Sequence, residues 1–180
     1  AQIGGWQDGL PQVLENEEPD LAVARGAARF GALLHHRSAR IAAGAAAAIF
    51  LEVEGIQPTD RQTVRPPLVC VLPQGAAPSQ LFEIADLGLK LRTDQLVRFQ
   101  AYSSTRKSVS RAGDIVSWSE GEFHPLPPLQ TIVRTAELSG PEAGGMLPVG
   151  LTARMNALGL LQISCVSANP AVQQSWPLEF

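Results

Sequence analysis

Apolar residues follow a helical spacing near the start of the chain. A stripe of small and apolar residues repeats there at three- and four-residue steps, which places its members on one helix face: Leu21, Ala24, Ala27, Ala28, Gly31 and Leu34. Pro19 suits the first helical position, where its missing N–H has no helical partner to lose. The run His35-His36-Arg37 suits the last turn, where cations face the negative end of the helix dipole. The sequence therefore predicts one helix over residues 19–36.

Beyond residue 40 the pattern changes to an alternation of apolar and polar residues, which is typical of strands with one buried face. Nine segments show it: 46–54, 66–72, 80–84, 95–103, 108–118, 130–138, 147–156, 159–167 and 175–180. Asn156-Ala157-Leu158-Gly159 predicts a tight hairpin, and the Leu-Pro-Pro tract at 126–128 breaks the sheet because proline lacks an N–H. We therefore predict a mainly β protein, a β-sandwich of about eight or nine short antiparallel strands preceded by one α-helix.

The change of pattern divides the chain into two parts. Residues 1–40 hold the helix and a candidate short strand at 12–15, whereas residues 41–180 form the sandwich. The alanine- and glycine-rich run 42–48 is expected to act as a hinge that stiffens into the first strand. Residues 1–40 offer little for the helix stripe to pack on, so we expect it to meet the sandwich, solvent or a second copy of the chain. A dimer through this helix is one expected result.

Composition and charge exclude several classes of protein. Hydrophobic residues make up 45% of the chain and charged residues 17%, which argues against a disordered chain. The net charge of −3 and the lack of a basic stripe argue against a nucleic-acid partner. The longest apolar run, residues 41–51, is shorter than the ~20 residues of a membrane span, and the first residues lack the features of a signal peptide. We therefore expect a cytoplasmic protein with no membrane partner.

No residue pattern in the sequence predicts catalysis or metal binding. The serine nucleophile elbow, the zinc-protease helix motif and the phosphate-binding loop are all absent from the sequence. Cys70 and Cys165 each lie in an apolar run, where a small buried side chain is expected. The carboxylates within residues 114–122 indicate a solvated hairpin face, and residues 103–107 indicate either a strand-end turn or an anion site of hydroxyls and cations. We therefore expect no enzyme, no catalytic residues, no metal site and no cofactor in this chain.

Several motifs resemble the C-terminal part of DnaK-type heat-shock chaperones. Residues 18–28, Glu-Pro-Asp-Leu-Ala-Val-Ala-Arg-Gly-Ala-Ala, resemble the last helix of the ATPase domain in that family. The Ser-Ser-Thr-Arg segment at 103–106, the Leu-Pro-Pro tract and the tail Trp-Pro-Leu-Glu-Phe at 176–180 are similar to a divergent bacterial branch of the family. By this resemblance, residues 1–40 are the remnant of an actin-like ATPase domain with the start of a linker, and residues 41–180 resemble the peptide-binding sandwich.

The resemblance implies a function for this chain and for its parent protein. The sandwich would recognise extended or unfolded segments of a client protein, and an upstream ATPase domain using ATP and Mg²⁺ would control it. The sequence departs from the family pattern, since residues 41–44 hold one bulky apolar residue and no helical lid or phosphate loop is present. Weaker coupling between the domains is therefore expected, because docking energy scales with buried apolar area. The resemblance also implies a bacterial cytoplasmic location.

The family's pocket-lining positions match six residues by strand pattern: Val53, Ile56, Phe82, Ala85, Val97 and Phe99. An extended peptide would bind there through backbone hydrogen bonds and one apolar pocket. The same positions would equally supply the core of any sandwich, and Glu83 and Arg98 make the region more polar. The alternative is a non-catalytic interaction or regulatory module of an actin-like ATPase that has lost peptide binding. An exposed apolar groove near Phe82 and Val97 would favour peptide binding, and a closed, packed end would favour the module.

Overall fold

The chain comprises two compact units, Ala1–Ile41 and Ala42–Phe180. The computed structural model describes residues 18–35, 44–54, 65–106, 111–134, 145–169 and 174–179. The division between the units falls close to residue 40, where the sequence pattern changes. The strand predicted at residues 12–15 lies outside the described residues.

The first unit holds the predicted helix. A 3-10 turn over Pro19–Leu21 leads into α1, Ala22–His35, so the predicted helix is confirmed as far as His35, where the described residues of this unit end. Arg25 forms an ion pair with the Glu18 carboxylate across the first turns. Among the described side chains of α1, only Phe30 and Leu33 are half-buried, and the described members of the small-residue stripe, from Leu21 to Gly31, are exposed.

The second unit is built from eleven antiparallel strands in the part of the chain that the structure describes. Their bounds are β1 Ala48–Glu52, β2 Leu68–Leu72, β3 Leu81–Arg92, β4 Leu96–Phe99, β5 Ala101–Ser104, β6 Ile115–Val116, β7 His124–Pro125, β8 Leu129–Ile132, β9 Met146–Met155, β10 Leu161–Ser167 and β11 Ser175–Pro177. They form a five-stranded sheet in the order β6-β2-β1-β5-β7, a four-stranded sheet β11-β10-β9-β3, and the pair β4-β8. The mainly β architecture with one preceding helix is confirmed.

The main core lies between the five-stranded and four-stranded sheets. Leu51 of β1 and Val69 and Val71 of β2 supply one side of it, and all three are fully buried. The facing side comes from alternate residues of the four-stranded sheet: Ile84, Leu91, Leu147, Val149, Leu151, Ala153, Ile163, Cys165 and Trp176. Period-two burial on two facing sheets is what defines a sandwich.

The five-stranded sheet is also buried on its second face. All five residues of β2 are buried, because Phe50, Leu68 and Tyr102 pack there with Phe123 in a second cluster. The rings of Phe50 and Phe123 meet edge to face, with centroids 5.2 Å apart. Trp118 and Phe123 pack on this face, and His124–Pro125 then extends the sheet beside β5. Only Ile115–Val116 of the strand predicted at 108–118 pairs with β2 among the described residues.

The strand predicted at 95–103 divides at Gln100 into two strands that belong to different sheets. β4 pairs with β8, whereas β5 pairs with β1. The Gln100 side-chain amide donates to the carbonyls of Ala101 and Leu126, at 3.0 and 2.8 Å, which holds the chain at the bend. The Gln100 carbonyl also accepts from the Glu52 N–H at 2.9 Å. Such divisions raise the number of strands above the eight or nine expected.

β3 is longer than the strand predicted at 80–84, and a wide bulge interrupts it. Ile84 pairs with Leu151 and Leu89 with Val149, so residues 85–88 all oppose Gly150. A side chain at Gly150 would bring a Cβ to 2.9 Å from the Ile84 carbonyl oxygen, so only glycine fits opposite the bulge. The bulge moves the second half of β3 into a new register with its own half-buried and exposed positions.

The predicted hairpin at 156–159 joins β9 and β10. The Asn156 side-chain oxygen accepts from the N–H groups of Leu158 and Leu160, each at 2.9 Å. Gly159 takes a φ of 79°, a conformation that a residue with a side chain rarely adopts. The turn chemistry read from the sequence therefore sets the register of these two strands.

The segment that leads into β1 is fastened to the turn between β2 and β3. The Ala45 N–H donates to the Ala76 carbonyl at 2.9 Å, and the Gly75 N–H donates to the Ala45 carbonyl at 2.8 Å. A Cβ on Gly44 would lie 2.2 Å from the Gly75 carbonyl oxygen. The close approach of the two backbones therefore requires glycine at position 44.

Candidate functional site

An open cleft of about 1070 Å³ lies between the second half of β3 and β4. Two runs of six consecutive residues form its walls, 87–92 and 95–100. The remaining lining residues come from the end of β1, from β9 and β10, and from the segment before β8: Glu52, Val53, Glu54, Pro128, Met146, Val149, Leu151 and Cys165. The cleft thus opens onto the side of the main core.

Each of the two walls presents the edge of a strand. Successive side chains of a strand point to opposite faces, so a strand that lined the cleft with one face would contribute every second residue. Here six consecutive residues line the cleft on each side. β3 is the last strand of its sheet, and β4 pairs only with β8 in the described structure. Every second residue of such an edge directs its backbone N–H and C=O away from the paired neighbour.

Apolar side chains form the inner part of the cleft. Leu89 of β3 and Val97 and Phe99 of β4 are half-buried and pack against the main core. Leu96 and Met146 remain 46% and 49% exposed at the same cleft. The cleft therefore offers apolar contact beside two rows of backbone hydrogen-bonding groups.

Charged side chains occupy the outer part of the cleft. Lys90 and Arg92 alternate along β3 with Leu89 and Leu91, and Arg98 is exposed on β4 between half-buried neighbours. Within the described residues none of these three cations forms an ion pair.

Two carboxylates, Glu52 and Glu54, lie at the end of β1. The Glu52 carboxylate accepts a hydrogen bond from the Tyr102 hydroxyl at 3.0 Å. Burial raises the pKa of the Tyr102 hydroxyl, and the bond to Glu52 and its negative charge raise it further. Tyr102 therefore stays protonated at neutral pH and remains a donor to Glu52.

The structure brings together three of the six residues expected to line a pocket. Val53, Val97 and Phe99 line the cleft. Phe82 packs instead in a third cluster with Ala45, Leu72 and Ala76, on the far side of the bulge in β3.

Of the other two expected residues, the structure describes only Ala85. Ala85 is exposed within the bulge and does not line this cleft. Ile56 lies outside the described residues. The alternating pattern of the sequence groups Phe82 and Ala85 with Val97. It does not reveal the bulge at residues 85–88, which contains Ala85 and separates Phe82 from the cleft.

Sequence reasoning missed much of one wall. The second half of β3 reads Leu87-Gly88-Leu89-Lys90-Leu91-Arg92, with apolar and charged residues in strict alternation after Gly88. That alternation itself predicts a strand with one solvent-exposed face. Extending the strand predicted at 80–84 through residue 92 would have identified both the apolar and the cationic residues of this wall.

The other candidate reactive groups do not come together in one site among the described residues. Burial raises the pKa of the Cys70 and Cys165 thiols to about 12 in each case. The Asp114 carboxylate accepts from the Arg111 N–H, and the Ser104 hydroxyl accepts from the Arg106 N–H, both at 3.3 Å, as in ordinary turns. No group of three or more potential metal ligands occurs among the residues described.

Neither the helix lengths nor the comparisons with known proteins assign a function to the cleft. No helix in the described part of the chain is long and apolar enough to cross a membrane. No protein-family model matches the sequence. No curated protein is significantly similar to it.

Proposed function

We propose that the sandwich binds extended polypeptide segments in the cleft between β3 and β4. The observation that carries the proposal is the pair of strand edges that have no partner strand among the described residues and that flank an apolar inner surface. Addition of a strand to an open sheet edge is a common mode of peptide recognition, in which backbone hydrogen bonds give affinity and side-chain pockets give selectivity.

The dimensions of the walls suit a short segment. A strand rises about 3.3 Å per residue, so the wall formed by residues 87–92 of β3 spans roughly 20 Å. An extended segment of about six residues would match that length. Every second side chain of the segment would then meet Leu89, Val97 and Phe99, which are half-buried and reach the cleft.

The sequence resemblance supplies the wider setting of the proposal. The chain would be a fragment of a DnaK-like molecular chaperone of the bacterial cytoplasm, and unfolded client protein would be its partner. An ATPase domain that binds ATP and Mg²⁺ would lie upstream in the parent protein and control binding, whereas this chain would carry no catalysis of its own. The motifs at 18–28 and 176–180 support this setting.

A second function, a non-catalytic interaction or regulatory module, has its own supporting observation. Phe82, one of the two residues on which an open groove was expected, is half-buried against a separate cluster that contains Leu72 and Ala76. Five charged residues also line the cleft, which makes it more polar than a site for purely apolar segments. A module of this kind would bind one folded partner and would not accept extended peptides.

Substitution of Val97 separates the two functions. We expect Val97→Phe to fill the cleft and abolish binding of a fluorescein-labelled peptide of alternating valine and glutamine, measured by fluorescence anisotropy. The melting temperature should change little, because Val97 is half-buried at an open cleft.

The matched control is Leu158→Phe, which enlarges a side chain that is 68% exposed in the β9–β10 hairpin. It should bind the peptide as the unmodified chain does. A destabilisation of about 1–3 kcal/mol by Val97→Phe would show an overpacked core position and argue against the cleft. Failure of the unmodified chain to bind any extended peptide would favour the module.

A further inference from the structure

The two faces of the cleft walls carry different chemistry. Along β3, Leu89 and Leu91 point toward the core, and Lys90 and Arg92 are exposed between and beyond them. Along β4, Val97 and Phe99 are half-buried and Arg98 is exposed. The cleft therefore has an apolar inner level and a cationic outer level.

An extended segment between these walls would have to satisfy both levels at once. Its side chains alternate between two faces, as those of any strand do. One set would enter the apolar level, and the other set would lie beside the three cations. Opposite charges on neighbouring strands stabilise pairing and like charges oppose it.

We propose that the cleft selects extended segments in which apolar residues alternate with acidic ones. This inference rests on the proposed function of peptide binding. The bound segment would be a strand of acidic and apolar residues, because Lys90, Arg92 and Arg98 line the cleft.

The carboxylates of the cleft form no ion pair with these cations among the described residues. Glu52 already accepts a hydrogen bond from Tyr102, and both Glu52 and Glu54 lie at the end of β1 rather than on the two walls. The three cations make no ion pair within the described residues, so an acidic strand gains contacts without breaking existing ones. The carboxylates would disfavour acidic residues only at the β1 end of the segment.

Three labelled peptides of about six residues test the inference on the full chain. Each carries valine at alternate positions, and the intervening positions are aspartate, glutamine or lysine. We expect the aspartate peptide to bind about tenfold more tightly than the glutamine peptide, since a few partly exposed ion pairs add together. The lysine peptide should bind more weakly than either. The preference for aspartate should shrink as salt is raised, because salt screens exposed charges.

Charge reversal on β3 provides the decisive variant. The double variant Lys90→Glu, Arg92→Glu should invert the order of affinity for the three peptides, so that the lysine peptide binds most tightly. Both side chains are exposed, and an unchanged melting temperature will confirm that the variant folds. Arg111→Glu is the control, because Arg111 is exposed in the segment before β6 and does not line the cleft. It should leave the order of the three peptides unchanged.

Each remaining outcome overturns the inference in a distinguishable way. Equal binding of the aspartate and glutamine peptides would remove the charge selectivity and leave peptide binding intact. Absence of binding by all three peptides would remove the proposed function as well. A dimer in light scattering that the charge reversal dissociates would show that a second copy of the chain, rather than an acidic segment, occupies the cleft.

Discussion

Burial decides the chemistry of single residues in this protein, and the two cysteines show it most clearly. Both thiols are fully buried, and burial raises the pKa of each to about 12. For Cys70 the negative charge of Asp114 adds to the effect of burial. Because the thiolate is the reactive form, both side chains act as small hydrophobic residues at neutral pH.

The raised pKa values predict how stability depends on alkaline pH. The pKa of each thiol in the folded chain lies above its ordinary value of 9.0, so the stability linked to the neutral thiols is complete below about pH 9. It is lost as the pH rises toward 12, because the unfolded chain releases these protons first. The free energy of unfolding should therefore fall with pH more steeply than in a Cys70→Ala, Cys165→Ala variant. The expected difference is about 1.4 kcal/mol per pH unit for each thiol, measured by denaturant titration. Parallel pH profiles for the two proteins would contradict it.

The glycine at position 44 makes a second prediction at this scale. A Cβ added there would lie 2.2 Å from a backbone oxygen of Gly75, which has no flexible side chain to move aside. Gly44→Ala should therefore destabilise the sandwich by about 1–3 kcal/mol, measured by thermal or chemical unfolding. Gly26→Ala is the control, because nothing lies within 4 Å of a Cβ there and alanine favours the helix. An unchanged stability of Gly44→Ala would mean that the two backbones do not meet as described.

At the scale of elements, the period of the apolar pattern predicted most of the architecture. It identified the helix and the β10 strand, because apolar residues repeat there at the period of each element. It missed the second half of β3, because the bulge at 85–88 interrupts the alternation for four residues. It also joined β4 to β5, since the bend at Gln100 depends on which sheet each half pairs with. Strands that pair can lie far apart along the chain, so the local apolar period does not predict which strands pair.

The candidate site shows the same limit. Val53, Val97 and Phe99 line one cleft, as their alternation along β1 and β4 allowed. Phe82 carries the same alternating signature, but its position before the bulge places it in another cluster. Which apolar residues meet depends on the register of β3 against β9, and the local alternation of apolar and polar residues does not reveal that register.

The boundary between the units predicts an outcome for truncation. The helix α1 belongs to the first unit, and the described residues of the sandwich core all belong to the second. Removal of residues 1–40 should therefore leave a sandwich that melts in one cooperative transition, measured by circular dichroism or calorimetry. Loss of cooperative melting after this truncation would show that the helix is needed by the β unit.

At the scale of the whole molecule, nucleotide binding gives a direct test of how activity is divided within the proposed parent protein. The sequence contains no phosphate-binding loop, and nucleotide sites that use Mg²⁺ need several elements around the phosphates. Titration calorimetry of this chain with MgATP should therefore show no binding in the micromolar range. Micromolar affinity would contradict the assignment of ATP control to a separate domain.

The fastening of the entering segment to the β2–β3 turn has a mechanical consequence. Two antiparallel hydrogen bonds tie Ala45 to Gly75 and Ala76, and the turn that holds them leads directly into β3. A pull on the segment before β1 would therefore act along two routes, directly on β1, which begins at Ala48, and through these bonds on the turn that leads into β3. The far half of β3 is one wall of the cleft, so part of the load would fall on the strand that forms the site.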